Sequence, residues 1–319
     1  MFSPASARAI TIAAALAAAG LVAATPAAAQ PGIVTHPIPT TGCGAPPPAT
    51  PGTDVDQTLV SGGVTRDYVL HLPADYRPHR PDALVVVFHG RGKTDQSQAA
   101  VTALTQPRTI AVYPQGLPGT KGESTFPGAP YSTAAQDGDP LFVSDLITHL
   151  QRTLCVDPAR IMLAGKSNGG AFAALLACSM SERIAAIAVV SGALYGQHGC
   201  APKRPVPVLD FHGTGDTTIP YDGDPARDLP AIPDWVAQWA AQDRCYRGPR
   251  TFFQKADVTG LVWSACPAGV GVVHYRIAGG EHVWPGSTSD GATQTISATA
   301  LMVSFLWRHP LSPGRPGRW

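Results

Sequence analysis

At 319 residues the chain is long enough for one large domain with a buried core, or for two small ones. Hydrophobic residues make up 44% and charged residues only 14%. Ordinary globular proteins carry about 25% charged residues, so a disordered polyelectrolyte is excluded. A formal net charge of +1, with no clustering among the 23 Lys and Arg residues, leaves no basic face for phosphates and excludes nucleic acid as a partner.

The first 29 residues hold a single charge, Arg8, and an apolar stretch over 9–24 broken only by Thr11 and Gly20. Ala27, Ala28 and Ala29 follow, just before Gln30. This pattern predicts a signal peptide over 1–29, and hence a secreted, extracellular protein. The apolar part is shorter than the roughly 20 residues a membrane span needs, so no membrane association is expected after cleavage. A Pro-rich leader is expected over 30–56, and a single catalytic domain over 57–319.

Strands are predicted at 68–72, 84–88 (LVVVF) and 109–113 (TIAVY), followed by an amphipathic helix over 142–154. A strand at 160–164 leads into an apolar helix at 168–179, and further strands are predicted at 184–190 and 206–211. A helix over 232–242 carries Trp235 and Trp239 at i and i+4, a spacing that suits packing. A strand at 272–277 and a helix at 292–307 complete the series. Strands that are apolar on both faces and alternate with helices predict an α/β fold: a mostly parallel central sheet covered by helices on both faces. In such sheets, chemistry gathers outside the carboxyl ends of the strands.

Six cysteines follow the signal, and an even count in an exported chain predicts three disulfides; no spacing suggests a metal. Cys155 precedes the strand at 160–164 and Cys178 ends the helix that runs back, so both are expected at the amino end of the sheet and paired. Cys245 with Cys266 forms a local clip, which leaves Cys43 with Cys200.

The strand ending at Ala164 opens into Gly165-Lys166-Ser167-Asn168-Gly169-Gly170 and then a helix. A G-x-S-x-G run between strand and helix holds its serine on a strained, exposed turn. The bland alternative is a glycine-rich turn whose serine caps the helix. A serine needs a base to take its proton and an acid to orient that base. Asp216 follows the strand at 206–211, and His282 follows the strand at 272–277, giving the order serine, acid, histidine. Glu281 and Asp222 are reserve acids. His89 and His212 also end strands, but each stands in a His-Gly pair and is expected to order a loop. Donors for a developing oxyanion are expected from the backbone amide of Asn168 and from that of Arg91, or of Gly90 beside it. Trp284, two residues after His282, is the candidate substrate-binding residue, with packing as its competing role.

Several runs carry a resemblance. They are GCG at 42–44, RDYVLHLPADY at 66–76, FHGRG at 88–92, YPQGL at 113–117, GKSNGG at 165–170, VVSGALY at 189–195, FHGTGDTTIPYDG at 211–223 and GGEHVWPG at 279–286. Together they resemble secreted feruloyl esterases, which belong with the poly(3-hydroxybutyrate) depolymerase-like esterases of carbohydrate esterase family 1. The resemblance implies an α/β-hydrolase that cleaves hydroxycinnamoyl esters of plant cell-wall polysaccharides such as xylan, without metal or cofactor. It implies Ser167 as nucleophile, Asp216 as orienting acid and His282 as base. Phe126 stands where relatives often have Trp, and Gly138-Asp139 where they often show two aspartates; both departures fall in the loop expected to shape the acyl pocket.

A polyhydroxyalkanoate depolymerase or an acetylxylan esterase would use the same three residues, and a peptidase could use the same elbow. A catalytically silent binding protein would be expected to lack at least one of the three. The expected partner is a feruloylated or acetylated polysaccharide, acted on by a monomer.

Overall fold

The computed structural model describes residues 32–195 and 200–311. The expected signal segment lies outside the described residues, as do the first two residues of the expected leader.

The chain lays down β1 (Asp54–Ser61), β2 (Val64–His71), β3 (Asp82–Phe88), α1 (Asp95–Thr102), β4 (Thr109–Pro114), the two-residue strands β5 (Leu117–Pro118) and β6 (Ser124–Thr125), and α2 (Asp139–Thr153). It continues with β7 (Val156–Lys166), α3 (Asn168–Met180), β8 (Ala186–Val190), β9 (Val208–Gly213), α4 (Ile232–Gln242), β10 (Arg247–Lys255), β11 (Val258–Ser264), β12 (Val272–Ile277) and α5 (Ala298–Arg308). All strands but β5 and β6 join one sheet in the order β1-β2-β4-β3-β7-β8-β9-β12-β11-β10. The central run from β4 to β12 is parallel, and the outer pairs on each side are antiparallel.

Alternating side chains of the buried strands point to opposite layers. Leu84, Val86 and Phe88 pack with Phe142 of α2, Phe172 of α3 and Trp239 of α4. Val85 and Val87 pack with Ala99 of α1 and Phe305 of α5. Helices therefore cover both faces, as the apolar strand runs predicted. Trp235 and Trp239 are both buried in the first of these layers, as their helical spacing suggested.

Hydrophobic periodicity did not show helix α1 or strand β10, and it misplaced the start of the final helix. Helix α1 (DQSQAAVT) is mostly polar and is set by a capping box: Thr94 Oγ1 accepts from the Ser97 amide while Ser97 Oγ accepts from the Thr94 amide. Strand β10 is exposed along nearly all its length and pairs only with β11, so it shows no alternation. The final helix starts at Ala298 instead of 292, because Ser297 caps it through the Ala300 amide. The segment before the helix and the first residue of the helix are tied back to the histidine loop by Gly286 N–H to Thr293 O and Ala298 N–H to Pro285 O.

The disulfides are Cys43–Cys155, Cys178–Cys200 and Cys245–Cys266. The local clip is as expected, and the other two pairings correct the expectation of Cys155–Cys178 and Cys43–Cys200. The reason lies in the leader, which runs along α2. The amides of Val34, Thr41 and Gly42 donate to Ser144 Oγ and to the Gln151 carbonyl, and Gln151 Nε2 donates to Ile38 O. The fully buried Arg183 guanidinium ties Val34 O to the Ser144 carbonyl. That path delivers Cys43 to the carboxyl end of α2, where Cys155 immediately precedes β7. Cys178, near the end of α3, is then left to Cys200, in the segment that returns toward β9.

Asp243, at the end of α4, is fully buried; its Oδ1 accepts from the Val206 amide at 2.9 Å, and its Oδ2 has no hydrogen-bond partner among the described residues. Burial, only partly offset by that amide and by the charge of Arg204, pushes its pKa up to about 7. A folded-state pKa above the unfolded value of about 4 means that the folded chain holds this proton more tightly. The stabilisation is therefore complete below the unfolded value and is lost as pH climbs through about 7. Between pH 5 and 8 we expect wild type to lose on the order of 2 kcal/mol relative to Asp243→Asn, whose amide mimics the protonated acid. Urea midpoints at the two pH values measure this; parallel profiles would show that Asp243 is ionised in both states.

Candidate active site

Reversal of strand order puts β3 and β7 side by side at the switch point of the parallel run, where a crevice opens outside the carboxyl ends. Ser167 stands there, between β7 and α3, with φ 55° and ψ −121°. A non-glycine residue in that region is strained, so the surroundings must hold it. The neighbouring glycines allow this. A Cβ on Gly165 would sit 2.4 Å from the Gly169 carbonyl carbon, and one on Gly169 would sit 2.4 Å from the Phe88 carbonyl oxygen. Strand, turn and helix therefore approach more closely than any side chain would permit. The serine makes no side-chain cap to its helix, so the bland capping role is not the one it plays.

Asp216 and His282 come together from loops after β9 and β12, adjacent parallel strands. The loops touch through glycine backbone: Gly215 N–H donates to Gly280 O at 2.9 Å, and a Cβ on Gly213 would lie 2.0 Å from the same oxygen. His282 Nδ1 is 2.7 Å from Asp216 Oδ2, and Asp216 Oδ1 accepts from the Thr218 and Ile219 amides. Burial acts to raise the Asp216 pKa, but the His282 hydrogen bond and charge, with the Ile219 amide and His212, outweigh it and hold the carboxyl below its usual range. An ionised acceptor fixes the Nδ1–H tautomer and leaves Nε2 of His282 free to accept a proton.

Ser167 and His282 line one cleft of about 420 Å³, together with Gly90, Arg91 and Trp284. The Asn168 amide opens α3 and is one of the first-turn N–H groups that no helical carbonyl can reach. Its side chain clamps Phe126 instead, accepting from that residue's amide at 2.7 Å and donating to its carbonyl at 3.0 Å. The Gly90 backbone runs beside the serine: a Cβ added there would lie 3.4 Å from the Ser167 Cβ. His89 is buried, its pKa pushed down to about 4 chiefly by that burial, so it is neutral. Nε2 accepts from the Gly116 amide, so Nδ1–H donates to the Gly90 carbonyl at 2.8 Å. The Lys93 amide donates to the same carbonyl, at 3.1 Å. In a trans peptide, the Arg91 N–H points away from that doubly held carbonyl. His89 and His212 are thus both buried loop-holders; His212 Nε2–H donates to Ile219 O at 2.8 Å.

Other expectations need relocating. Trp284 lines the cleft but is only 1% exposed, and its indole N–H is spent on Thr299 Oγ1, so most of the ring packs in the core. Phe126 is fully buried and stacked on Phe172, and Asp139 is buried against Arg66; neither lines the cleft. Sequence reading missed a rim of cations and tyrosines: Arg91, Lys93, Lys166 and Arg227 with Tyr131 and Tyr195. The guanidinium of Arg91 lies 4.3 Å over the Tyr131 ring, and Arg227 donates to the Tyr195 hydroxyl at 3.0 Å. Arg91, Lys166 and Tyr195 stand within the quoted runs, but no run shows that five separate loops and strand ends bring the six residues to one cleft.

Residues 66–216 match the family model described as esterase PHB depolymerase. The chain is 31% identical over 196 residues to feruloyl esterase C of Emericella nidulans, covering 57% of this chain and 64% of that relative. It is 27% identical to feruloyl esterase B of Piromyces equi, covering 68% of this chain and 42% of that relative. The chain thus spans less than two thirds of the length of these relatives. Among solved structures, an acetyl xylan esterase from Aspergillus awamori superposes with a TM-score of 0.54 at 15% identity, over 80% of this chain and 99% of that one. That likeness shows the shared α/β-hydrolase fold, and the motif-based resemblance to this group of esterases is borne out.

Proposed function

We propose, from its similarity to the poly(3-hydroxybutyrate) depolymerase-like esterases, that this α/β-hydrolase is a serine esterase acting on feruloyl or acetyl esters of plant polysaccharides. The observation that carries the reading is the strained Ser167 sharing a cleft with an imidazole that a buried carboxylate orients. His282 Nε2 takes the Ser167 proton as Oγ bonds to the ester carbonyl carbon. The oxyanion so formed is held by the Asn168 and Arg91 amides, each contributing about 3 kcal/mol of transition-state stabilisation. Collapse breaks the ester C–O bond, and the alcohol leaves with the proton from His282. Water then adds to the acyl-enzyme by the same path, releasing the acid and restoring Ser167. Because the base must be neutral, the rate falls in acid.

The three disulfides support export to an oxidising compartment, and among the described residues no helix is long and apolar enough to cross a membrane. We take residues 1–29 as the export signal and 57–319 as the catalytic unit. The test is a panel of methyl ferulate, acetylated xylan and hydroxybutyrate oligomers. Release of ferulate or acetate is expected; turnover of the oligomers alone would move the assignment to polyester hydrolysis.

A further inference from the structure

The cleft wall is charged in one sense only. Four of its residues, Arg91, Lys93, Lys166 and Arg227, carry cations, and no Asp or Glu is among the residues that line it. Two of the four are already satisfied. Arg91 is ion-paired with Glu123 and stacked on Tyr131. Arg227 donates to Thr218 O and to the Tyr195 hydroxyl, with Asp224 at 3.8 Å. Neither lysine has an ion pair or side-chain hydrogen bond among the described residues. Lys93 sits at the mouth, just before α1, and Lys166 immediately precedes Ser167.

Lys166 is half-buried; that burial, and then the neighbouring charge of Lys93, lower its pKa, with only the partial opposition of Asp216. The Asp216 carboxylate lies beneath His282 and is saturated by two amides and the imidazole, so it is not available to pair with either ammonium. Two like charges facing one cleft without a counter-ion repel, and the remedy is an anion carried in by the ligand. A neutral sugar or neutral phenol ester supplies none.

Resting on the esterase reading above, we infer that the substrate carries a free carboxylate close to the scissile ester, and that Lys93 and Lys166 bind it beside Ser167. Two kinds of ester have that chemistry. In one the carboxylate is on the alcohol side, as in a polysaccharide bearing uronic acids. In the other it is on the acyl side, as in an ester of a dicarboxylic acid.

Matched probe pairs separate these sources. The alcohol-side pair is 4-acetoxybenzoate and its methyl ester; the acyl-side pair is mono(4-nitrophenyl) adipate and its methyl ester. Each pair is measured for kcat/KM with wild type, Lys93→Met, Lys93→Arg and Lys166→Met. A charge-assisted contact changes binding by about tenfold. In one pair, the anionic-to-neutral ratio is expected to fall by about that factor in both Met variants, to be retained in Lys93→Arg, and to shrink with added salt. The pair that responds identifies which side carries the anion. Ratios that are the same in wild type and both Met variants, for both pairs, overturn the inference alone. Absence of hydrolysis of every probe by wild type overturns the esterase reading with it.

Discussion

Ser167→Ala lowers kcat/KM for an activated ester by about 10⁵-fold or more, because the covalent route is removed and only binding and the oxyanion donors remain. Folding is expected to survive. The hydroxyl makes no cap to α3, and alanine occupies the same backbone position without adding volume. The measurement is hydrolysis of 4-nitrophenyl acetate beside a thermal melt. Turnover within tenfold of wild type, from a variant with an unchanged melting temperature, would falsify the nucleophile assignment.

Asp216→Asn is the second large effect, about 10⁴-fold in kcat. The substitution keeps the shape, and its carbonyl oxygen can go on accepting from the Thr218 and Ile219 amides. Its amide N–H₂ then faces Nδ1 of His282, which must turn acceptor, so the ring proton moves to Nε2 and the imidazole can no longer take the serine proton. KM and stability are expected to change little. A kcat within tenfold of wild type would hand the orienting role to another acid, and Glu281, one residue before the base, would be the first to test.

These two experiments probe the part of the molecule that was most legible in the chain. A strand, a G-x-S-x-G turn and a helix are contiguous, so the chemistry of the elbow is written locally. Small residues at 165, 169 and 170 suffice to announce it. Order along the chain placed Asp216 and His282 at later strand ends. What it could not supply was their contact, which depends on β9 and β12 being neighbours and on glycine backbones at 213 and 280 closing the gap. Polar or exposed elements such as α1 and β10 escaped because their stability comes from caps and pairing partners, which leave no hydrophobic period.

From the primary structure alone came the class of sheet, through apolar runs that only a doubly covered parallel arrangement can bury, and the identities of the candidate reacting groups, through turn chemistry that few residue types can satisfy. Folding in three dimensions decided the rest. The leader's path along α2 chose Cys155 for Cys43, burial turned Trp284 chiefly toward packing, and the meeting of separate loops set Lys93 and Lys166 in one cleft. The physical reason is common to all three. Periodicity and turn preference report forces acting over a few neighbouring residues, whereas a disulfide partner or a shared field depends on which distant segments the packed layers bring within a few ångströms.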